Sequence, residues 1–183
     1  MRRLRNEART RQQELRSIYP WLRSIQEGEN ASIQLLSISV FDHWLTEEEA
    51  SSLLVNVPTI EQQRRDRLHA DFCARIARET EVLSFAFRSR RKDRLVFRSF
   101  ASGASLSAYF TPYGGRTLGH AAFQVALPEL RCAYFESWDD TNHFYFADTA
   151  RMARVTEWAR QADLHMLKPR QAESLLSNQA DRE

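Results

Sequence analysis

The amino-acid sequence predicts an α+β fold, in which a helical N-terminal region is followed by a mostly antiparallel or mixed sheet and a C-terminal helix. Before residue 80, apolar residues recur at spacings of three and four, which is typical of helices with one buried face. After residue 81 they alternate with polar residues, as in half-buried strands, and the helical spacing returns over 149–162. These patterns predict a basic helical region (1–80), a sheet domain (81–168) and a loose polar tail (169–183).

The helical region begins with a predicted helix over 6–27 that breaks at its proline, which lacks the amide that an interior turn needs. Residues 31–44 fit a helix by the spacing of their apolar residues and a strand by the alternation around two serines, and we predict a helix. Thr46 and Thr59 each begin a capping-box pattern, with a glutamate or glutamine three residues later. The second of these patterns starts a helix predicted over 60–79.

The sheet domain begins with a predicted hairpin, whose strands over 84–88 and 94–98 are joined by a polar link. Alternating apolar residues predict further strands over 105–110, 130–135, 142–147 and 164–167. Asp148 or Thr149 is the expected cap of the C-terminal helix.

The composition favours a cytoplasmic protein with no membrane span. With 183 residues, of which 43% are hydrophobic, the chain is long enough to bury a core. No apolar run approaches the roughly 18 residues that cross a bilayer, and no signal-peptide pattern follows the basic N-terminus. The two cysteines, Cys73 and Cys132, are expected to be buried and reduced.

Charge is unevenly distributed, although the net charge is only +2. Residues 1–28 hold seven arginines against three glutamates, and residues 61–99 hold eleven basic against six acidic residues. Residues 129–148 instead hold five acidic residues against one arginine. Such segments suit DNA or a charged protein partner, or they are solvated helix faces. The candidates for a DNA-binding face on helix 60–79 are Arg64, Arg65, Arg67, Arg75 and Arg78.

A glycine-rich segment over 111–124 is the first candidate site. It follows a predicted strand, and its glycines would let backbone amides approach a phosphate. The phosphate-binding candidates are Gly114, Gly115, Arg116 and Gly119. His120 is a candidate catalytic base. The alternative interpretation is a tight hairpin, in which the chain continues as a strand to Leu127.

This segment resembles the phosphate-binding loop and helix of the ParB/sulfiredoxin fold. The resemblance rests on Tyr113-Gly114-Gly115 and on Ala121-Ala122-Phe123-Gln124, with 127–130 as the turn out of the helix. It covers a small part of the chain, and the loop lacks the cysteine of the sulfiredoxins. Size and arginine content are most similar to plasmid fertility-inhibition proteins of the Osa type. The resemblance implies binding of ATP with Mg²⁺ and cleavage of DNA, in a protein that inhibits conjugation.

The second candidate site is the acidic stretch 136–143. Glu136 is a candidate catalytic carboxylate, and Asp139 and Asp140 are candidate Mg²⁺ ligands, because this hard cation prefers oxygen donors. The same stretch fits a turn between two strands, since Asp and Asn favour turns. With Trp138 within it, the stretch would also suit docking on a basic partner protein.

Two functions of different classes follow from these sites. The first is a nucleotide-binding enzyme of a mobile element that acts on DNA. The second is an immunity or antitoxin-type protein, which binds and blocks a toxin through its acidic segment 129–148. A helix that begins between Gly119 and Ala122 would favour the enzyme, and a strand over 120–127 would favour the binding protein.

Overall fold

The computed structural model describes residues 4–27, 33–88, 94–110, 123–137 and 139–169. Within these residues, one antiparallel sheet carries helices on both faces. Its strands are β1 (Leu4–Asn6), β2 (Gln34–Ser39), β3 (Leu83–Arg88), β4 (Arg94–Phe100), β5 (Gln124–Leu127), β6 (Cys132–Glu136), β7 (Thr141–Phe146) and β8 (His165–Leu167). The helices are α1 (Arg9–Ile18), α2 (Leu22–Glu27), α3 (Glu47–Leu53), α4 (Thr59–Glu79), α5 (Gly103–Tyr109) and α6 (Met152–Gln161).

The strand order across the sheet is β1-β4-β3-β5-β6-β7-β2-β8, and all neighbours are antiparallel. This confirms the predicted α+β class, the predicted hairpin and the C-terminal helix. Strands β1 and β2 come from the first 80 residues, for which the sequence predicted only helices. The N-terminal region and the rest of the chain therefore build one sheet together.

Helices α4 and α6 cover one face of the sheet. Phe72 and Ile76 of α4 and Trp158 of α6 are buried in one cluster with Phe144 and Phe146 of β7. Helices α1 and α2 cover the opposite face over β3 and β4. Their buried cluster contains Leu15, Tyr19, Leu22, Phe85 and Phe97.

Gln12 fixes α1 to β4 beside the point where β1 ends. Its side-chain nitrogen donates to the Phe97 carbonyl at 2.6 Å, and its side-chain oxygen accepts from the Phe97 amide at 3.1 Å. Strand β1 pairs with β4 only as far as Arg98. The buried glutamine thus bonds both backbone groups of Phe97, whose carbonyl also accepts from the Glu7 amide at 3.3 Å.

Two predicted elements are wrong in type. Residues 34–39 of the predicted helix 31–44 form β2, because Leu36 and Ile38 enter the core beneath α4 while the serines beside them bond partners on β7 and its turn. Residues 103–109 form α5 instead of the predicted strand over 105–110. Ser102 caps this helix. Leu106 and Tyr109, three positions apart, pack on the core from one side of the helix. In a segment this short, such helical spacing is hard to tell from the alternation of a strand.

The predicted helix caps have different outcomes. The capping box at Thr46 is confirmed, with bonds of 2.9 and 3.2 Å to the glutamate three residues on. The box at Thr59 is wrong: this residue already lies inside α4, and the side chain of Gln62 donates to Asp66 at 2.9 Å instead of reaching back. Asp148 caps the short 3-10 turn that leads into α6, as predicted.

Candidate functional site

The candidate residues of the glycine-rich segment lie outside the described residues. These are Gly114, Gly115, Arg116, Gly119 and His120. The described flanks contradict the expected layout, because helix α5 stands where a strand was predicted and strand β5 stands where the resemblance placed a helix. The continuation as a strand to Leu127 agrees with the alternative interpretation. Phe110 and Phe123, at the two flanks, pack edge to face with ring centroids 4.9 Å apart.

The arginines of α4 do not share one face. Arg64, Arg67 and Arg78 are exposed, and Arg75 is partly exposed. Arg64 and Arg75 each pair with a glutamate of the same helix. Arg65 is only 3% exposed and faces the protein. A DNA-binding face on α4 remains a prediction, and it would consist of the exposed arginines without Arg65.

Arg65 connects three parts of the chain at one end of the sheet. Its guanidinium donates to Glu61 of the same helix (2.8 Å), to the Leu53 carbonyl at the end of α3 (2.9 Å) and to Asp140 between β6 and β7 (3.1 Å). It also lies over the ring of Phe41, 4.9 Å from the ring centre. This buried cation therefore holds α3, α4 and the β6–β7 turn together.

The β6–β7 turn has a fixed conformation. Asp140 adopts a left-handed backbone (φ 55°), and its carbonyl accepts a hydrogen bond from Ser39 Oγ at 3.0 Å. Asp139 accepts from the Thr141 amide at 3.2 Å. Burial raises the pKa of the Asp140 carboxyl, and the nearby Arg65 opposes that shift. The stretch behaves as a structured turn between two strands.

The carboxylates predicted for catalysis and Mg²⁺ binding are bonded within the protein. Glu136 accepts from the Phe123 amide at 3.2 Å, at the start of β5. Asp139 and Asp140 bond a backbone amide and Arg65, as described above. In the described part of the chain, no three His, Cys, Asp or Glu side chains converge on a point that could hold a metal ion.

A buried polar pair lies beneath this turn. His69 Nδ1 and Asn142 Nδ2 are 2.9 Å apart, while His69 Nε2 and Asn142 Oδ1 are buried without a hydrogen-bond partner. Burial lowers the pKa of His69 to about 4, so its imidazole is neutral at physiological pH. An imidazole enclosed in this way serves the packing of α4 on β7.

A cleft of about 260 Å³ opens beside the β6–β7 turn. Its apolar lining includes Phe41, Trp44 and Leu167, and its polar lining includes His43 and Asp139. One wall comes from the loop between β2 and α3, and another from α3 itself. The cleft therefore joins the acidic turn that the sequence singled out to a segment about 90 residues away in the chain.

The loop between β2 and α3 is anchored by its two large polar rings. Trp44 stacks on His143 with ring centroids 6.4 Å apart, and its indole nitrogen donates to the Lys168 carbonyl at 2.6 Å. His43 lies 2.6 Å from the Asp42 carboxylate and 3.1 Å from the glutamate that closes the capping box. Hydrogen bonds to these carboxylates raise the pKa of His43.

Asp139 lines the cleft, and four more carboxylates lie on the chain segment that forms its other walls. We define the acidic surface as Asp42, Glu47, Glu48, Glu49 and Asp139. Glu47 and Glu48 are exposed, and neither pairs with a cation among the described residues. His43 bonds Asp42 and Glu49, so within the described residues Glu47 and Glu48 keep an unpaired negative charge at the start of α3.

Three exposed apolar residues lie between the end of α3 and the start of α4, and we define the apolar corner as Leu53, Val55 and Ile60. Their side chains are 37%, 58% and 83% exposed. They are three of the five large apolar residues that are exposed in the described part of the chain. Arg65 bonds both the Leu53 carbonyl and Asp140, which brings the end of α3 close to the β6–β7 turn. Clustered exposed apolar side chains commonly mark an interaction site.

The acidic segment predicted over 129–148 does not form a single surface. Glu129 precedes β6 and Asp148 follows β7, so both lie at the opposite end of these strands from Asp139. Arg151 donates to the Glu129 carbonyl and pairs with Asp148 at 3.9 Å. The acidic surface takes its other members from residues 42–49 instead.

Sequence reasoning missed Glu47 and Glu48 as site residues. The capping box predicted at Thr46 uses only Glu49, the third of three consecutive glutamates. Glu47 and Glu48 have no part in the capping box, and two such glutamates in succession indicate a charged surface.

The basic segments meet in a separate cleft on the face that α1 and α2 cover. This cleft of about 410 Å³ is lined by Arg16, Arg23 and Arg94, together with Tyr19 and Phe87 among others. The basic residues of 1–28 and of 61–99 are thus partly brought together, on a different surface from the acidic residues.

Comparisons with known proteins provide no relative. No protein-family model matches the chain, and no significant match exists among curated proteins or solved structures. None of the helices in the described ranges is long and apolar enough to cross a membrane.

Proposed function

We propose that this protein is a binding protein of the immunity or antitoxin type, which docks its acidic surface and apolar corner on a basic partner protein. The observation that carries the proposal is that α3 has exposed glutamates without a cationic partner among the described residues at its start, and three exposed large apolar residues at and just after its end. Protein interfaces commonly combine an apolar centre with a charged rim.

The apolar corner would supply the centre of the interface. Ile60 and Val55 are among the most exposed large apolar side chains of the described residues, and they contribute little to the protein's own core. Covering a side chain of this size completely contributes about 1.5–3 kcal/mol. A partner that covers both would therefore gain a useful part of its binding free energy here.

The acidic surface would select the partner. The whole chain carries a net charge of +2, so the negative potential at Glu47 and Glu48 is local. A basic partner would be attracted to this end of the molecule and repelled by the arginine-rich cleft. Charges of this kind mainly raise the association rate and exclude wrong partners.

Both surfaces are ordered before any partner arrives. The capping box at Thr46 holds the start of α3, Arg65 holds its end, and Trp44 anchors the loop before it. Ordered binding groups lose less conformational entropy on association.

The competing function, a nucleotide-dependent enzyme that acts on DNA, depends on a phosphate loop between a strand and a helix. Helix α5 and strand β5 occupy those two places. The binding function is the better supported of the two for this reason.

The test uses the proteins encoded by the genes adjacent to this one, purified and titrated singly by calorimetry. We expect one basic neighbour to bind, with an affinity that falls as salt is raised. Replacing the uncompensated acids, Glu47→Lys with Glu48→Lys, should weaken binding at least about tenfold, because two attractive charges become repulsive. Co-expression should also protect cells from that neighbour, and the charge-reversed variant should not.

The matched control reverses two exposed acids outside the acidic surface, Asp71→Lys with Glu129→Lys. It keeps the same change of net charge and should bind within about twofold of the unmodified protein. If both double variants lose affinity equally, the effect is one of net charge and the proposed surface is wrong. Failure of every adjacent gene product to bind would also contradict the proposal.

A further inference from the structure

The β3–β4 hairpin carries an arginine-rich sheet face. In the antiparallel register Ser84 lies opposite Arg98, and Arg88 lies opposite Arg94. Residues two apart on a strand, and residues directly opposite across a ladder, point to the same face. Ser84, Arg88 and Arg98 therefore share one face, which is the face away from Tyr19 and the α1–α2 core.

Arg98 lacks an adequate partner on this face. Its Nη2 lies 3.4 Å from Ser84 Oγ, and its Nε is buried with no hydrogen-bond partner. Within the described residues no carboxylate pairs with Arg98 or with Arg88. A buried donor left unbonded is unfavourable, although the arginine as a whole is partly exposed.

Arg88 adds a second positive charge close by. Burial and the charge of Arg88 together lower the pKa of Arg98, so the two guanidinium groups repel each other. Ala86, between Ser84 and Arg88 on the same face, is small and lies opposite Val96. Arg94 lies at the end of its strand and also lines the basic cleft on the opposite face.

The geometry points to a binding site for a phosphate group, held by the guanidinium groups of Arg98 and Arg88 with the hydroxyl of Ser84. A phosphate oxygen would satisfy the unbonded Nε of Arg98, and the charge would remove the repulsion between the arginines. The planar fork of arginine matches phosphate geometry with two parallel hydrogen bonds. The phosphate could belong to a small organic phosphate or to the backbone of a nucleic acid.

This site is independent of the proposed partner-binding function. Strands β3 and β4 lie near one edge of the sheet, and β7, β2 and β8, which border the acidic surface, lie at the other. Loss of one function would therefore leave the other intact.

The experiment measures melting temperature with inorganic phosphate, with ATP and with a short single-stranded oligonucleotide, each at matched ionic strength. We expect at least one of these anions to raise the melting temperature of the unmodified protein. Arg98→Met keeps the apolar stem and removes the unpaired cation. Without anion this variant should melt at the same temperature or higher, and it should lose the anion-dependent rise.

Arg88→Gln provides a second variant in case Arg98→Met does not fold. Arg88 is exposed, so stability should change little, while the affinity for the stabilising anion should fall about tenfold with the loss of a charged hydrogen bond. Arg67→Met, at an exposed position of α4, is the matched control and should change neither property.

The three anions distinguish the source of the phosphate. Tighter binding of the oligonucleotide, with a steep salt dependence, would identify a nucleic-acid backbone, and tighter binding of ATP a small organic phosphate. Absence of stabilisation by all three anions would overturn the proposal. So would anion binding that Arg88→Gln leaves unchanged, or a lower melting temperature of Arg98→Met together with an undiminished anion response.

Discussion

At the scale of single residues, His69 is the clearest case of burial setting a chemical state. Its imidazole sits between α4 and β7, bonded to Asn142 and otherwise enclosed. The folded protein therefore keeps His69 neutral to about pH 4, whereas the unfolded chain takes up a proton near the ordinary value of 6.5. Folding and protonation of this residue are thus linked.

The linkage predicts a loss of stability on mild acidification. Above about pH 6.5 the imidazole is neutral in both states, and the folded protein has its full stability with respect to this residue. Between pH 6.5 and about 4 only the unfolded chain binds the proton, so stability falls as the pH is lowered, in total by roughly 3 kcal/mol. Urea unfolding at a series of pH values measures this change.

The His69→Gln variant separates this effect from other titrating groups. Burial also lowers the pKa of His143, so this residue too makes the protein less stable as the pH is lowered. Glu61 has its pKa lowered to about 2 by Arg64 and Arg65, so its contribution is lost only below about pH 4.5. The slope between pH 6.5 and 4 should be shallower in His69→Gln and unchanged in the exposed control His165→Gln. Equal slopes in all three proteins would show that His69 titrates normally.

At the scale of elements, one contact organises the proposed binding end of the molecule. Arg65 of α4 bonds the end of α3 and the β6–β7 turn, which are separated from it by 12 and 75 positions. Its side chain is 4% exposed, whereas that of neighbouring Arg64 is 54% exposed. Both arginines pair with the same residue, Glu61. The pair therefore allows a comparison between a buried and a surface ion pair.

Arg65→Met should destabilise the protein by roughly 3–5 kcal/mol, because it leaves a partly buried Asp140 without its cation. Arg64→Met should lower the free energy of unfolding by less than about 1 kcal/mol, as expected for the loss of a surface ion pair. Asp140→Asn keeps a residue type that tolerates the left-handed backbone. Combined with Arg65→Met, it should restore part of the loss. Chemical unfolding of the four variants tests this, and additive losses would show that the two side chains are not coupled.

At the scale of the whole molecule, the sheet unites segments from both ends of the chain. Strands β1 and β2 come from the N-terminal region, and β8 follows the last described helix. The acidic surface lies near the β2–β8 side of this sheet, and the arginine-rich face lies near the β4–β1 side. A single rigid sheet can in this way present two surfaces of opposite charge.

The two cysteines test whether the molecule unfolds as one unit. Cys73 lies on α4 and Cys132 on β6, at 2% and 0% exposure in the same core. Burial raises the pKa of both thiols, that of Cys73 to about 12, so neither reacts in the folded state. We expect a thiol reagent to label both at the same rate across a urea series, followed by mass spectrometry of the two peptides.

Faster labelling of Cys73 would contradict this expectation. It would show that the helical region opens before the sheet, as the sequence-based division at residue 80 would suggest. Equal rates would show that α4 and the sheet share one cooperative transition.

Elements with long, regular patterns could be predicted from the sequence. Helix α4 and the β3–β4 hairpin have enough residues for their period to be clear. Strand β2 and helix α5 have six and seven residues, and in segments this short the two periods are hard to distinguish. Their type is decided by tertiary contacts, since β2 gains a hydrogen-bonded neighbour on each side.

The candidate site was only partly predictable for a related reason. Arg65 and Asp140 were both singled out from the sequence, for DNA and for Mg²⁺, but their pairing depends on a fold that brings α4 to the β6–β7 turn. The unsatisfied Arg98 could not be recognised at all. Its chemistry depends on strand register and on the absence of a nearby acid among the described residues. Neither can be inferred from the spacing of residues along the chain.

The place of β2 in the sheet also determines the order of events during synthesis. Its neighbours β7 and β8 are translated more than 100 residues later, which at roughly 5–20 residues per second is a delay of about 5–20 seconds. Residues 33–41 contain no charged side chain, so an uncovered, β-prone segment emerges from the ribosome well before it can pair. The nascent chain therefore has a long window for aggregation or chaperone capture, and that window closes only when the C-terminal strands arrive.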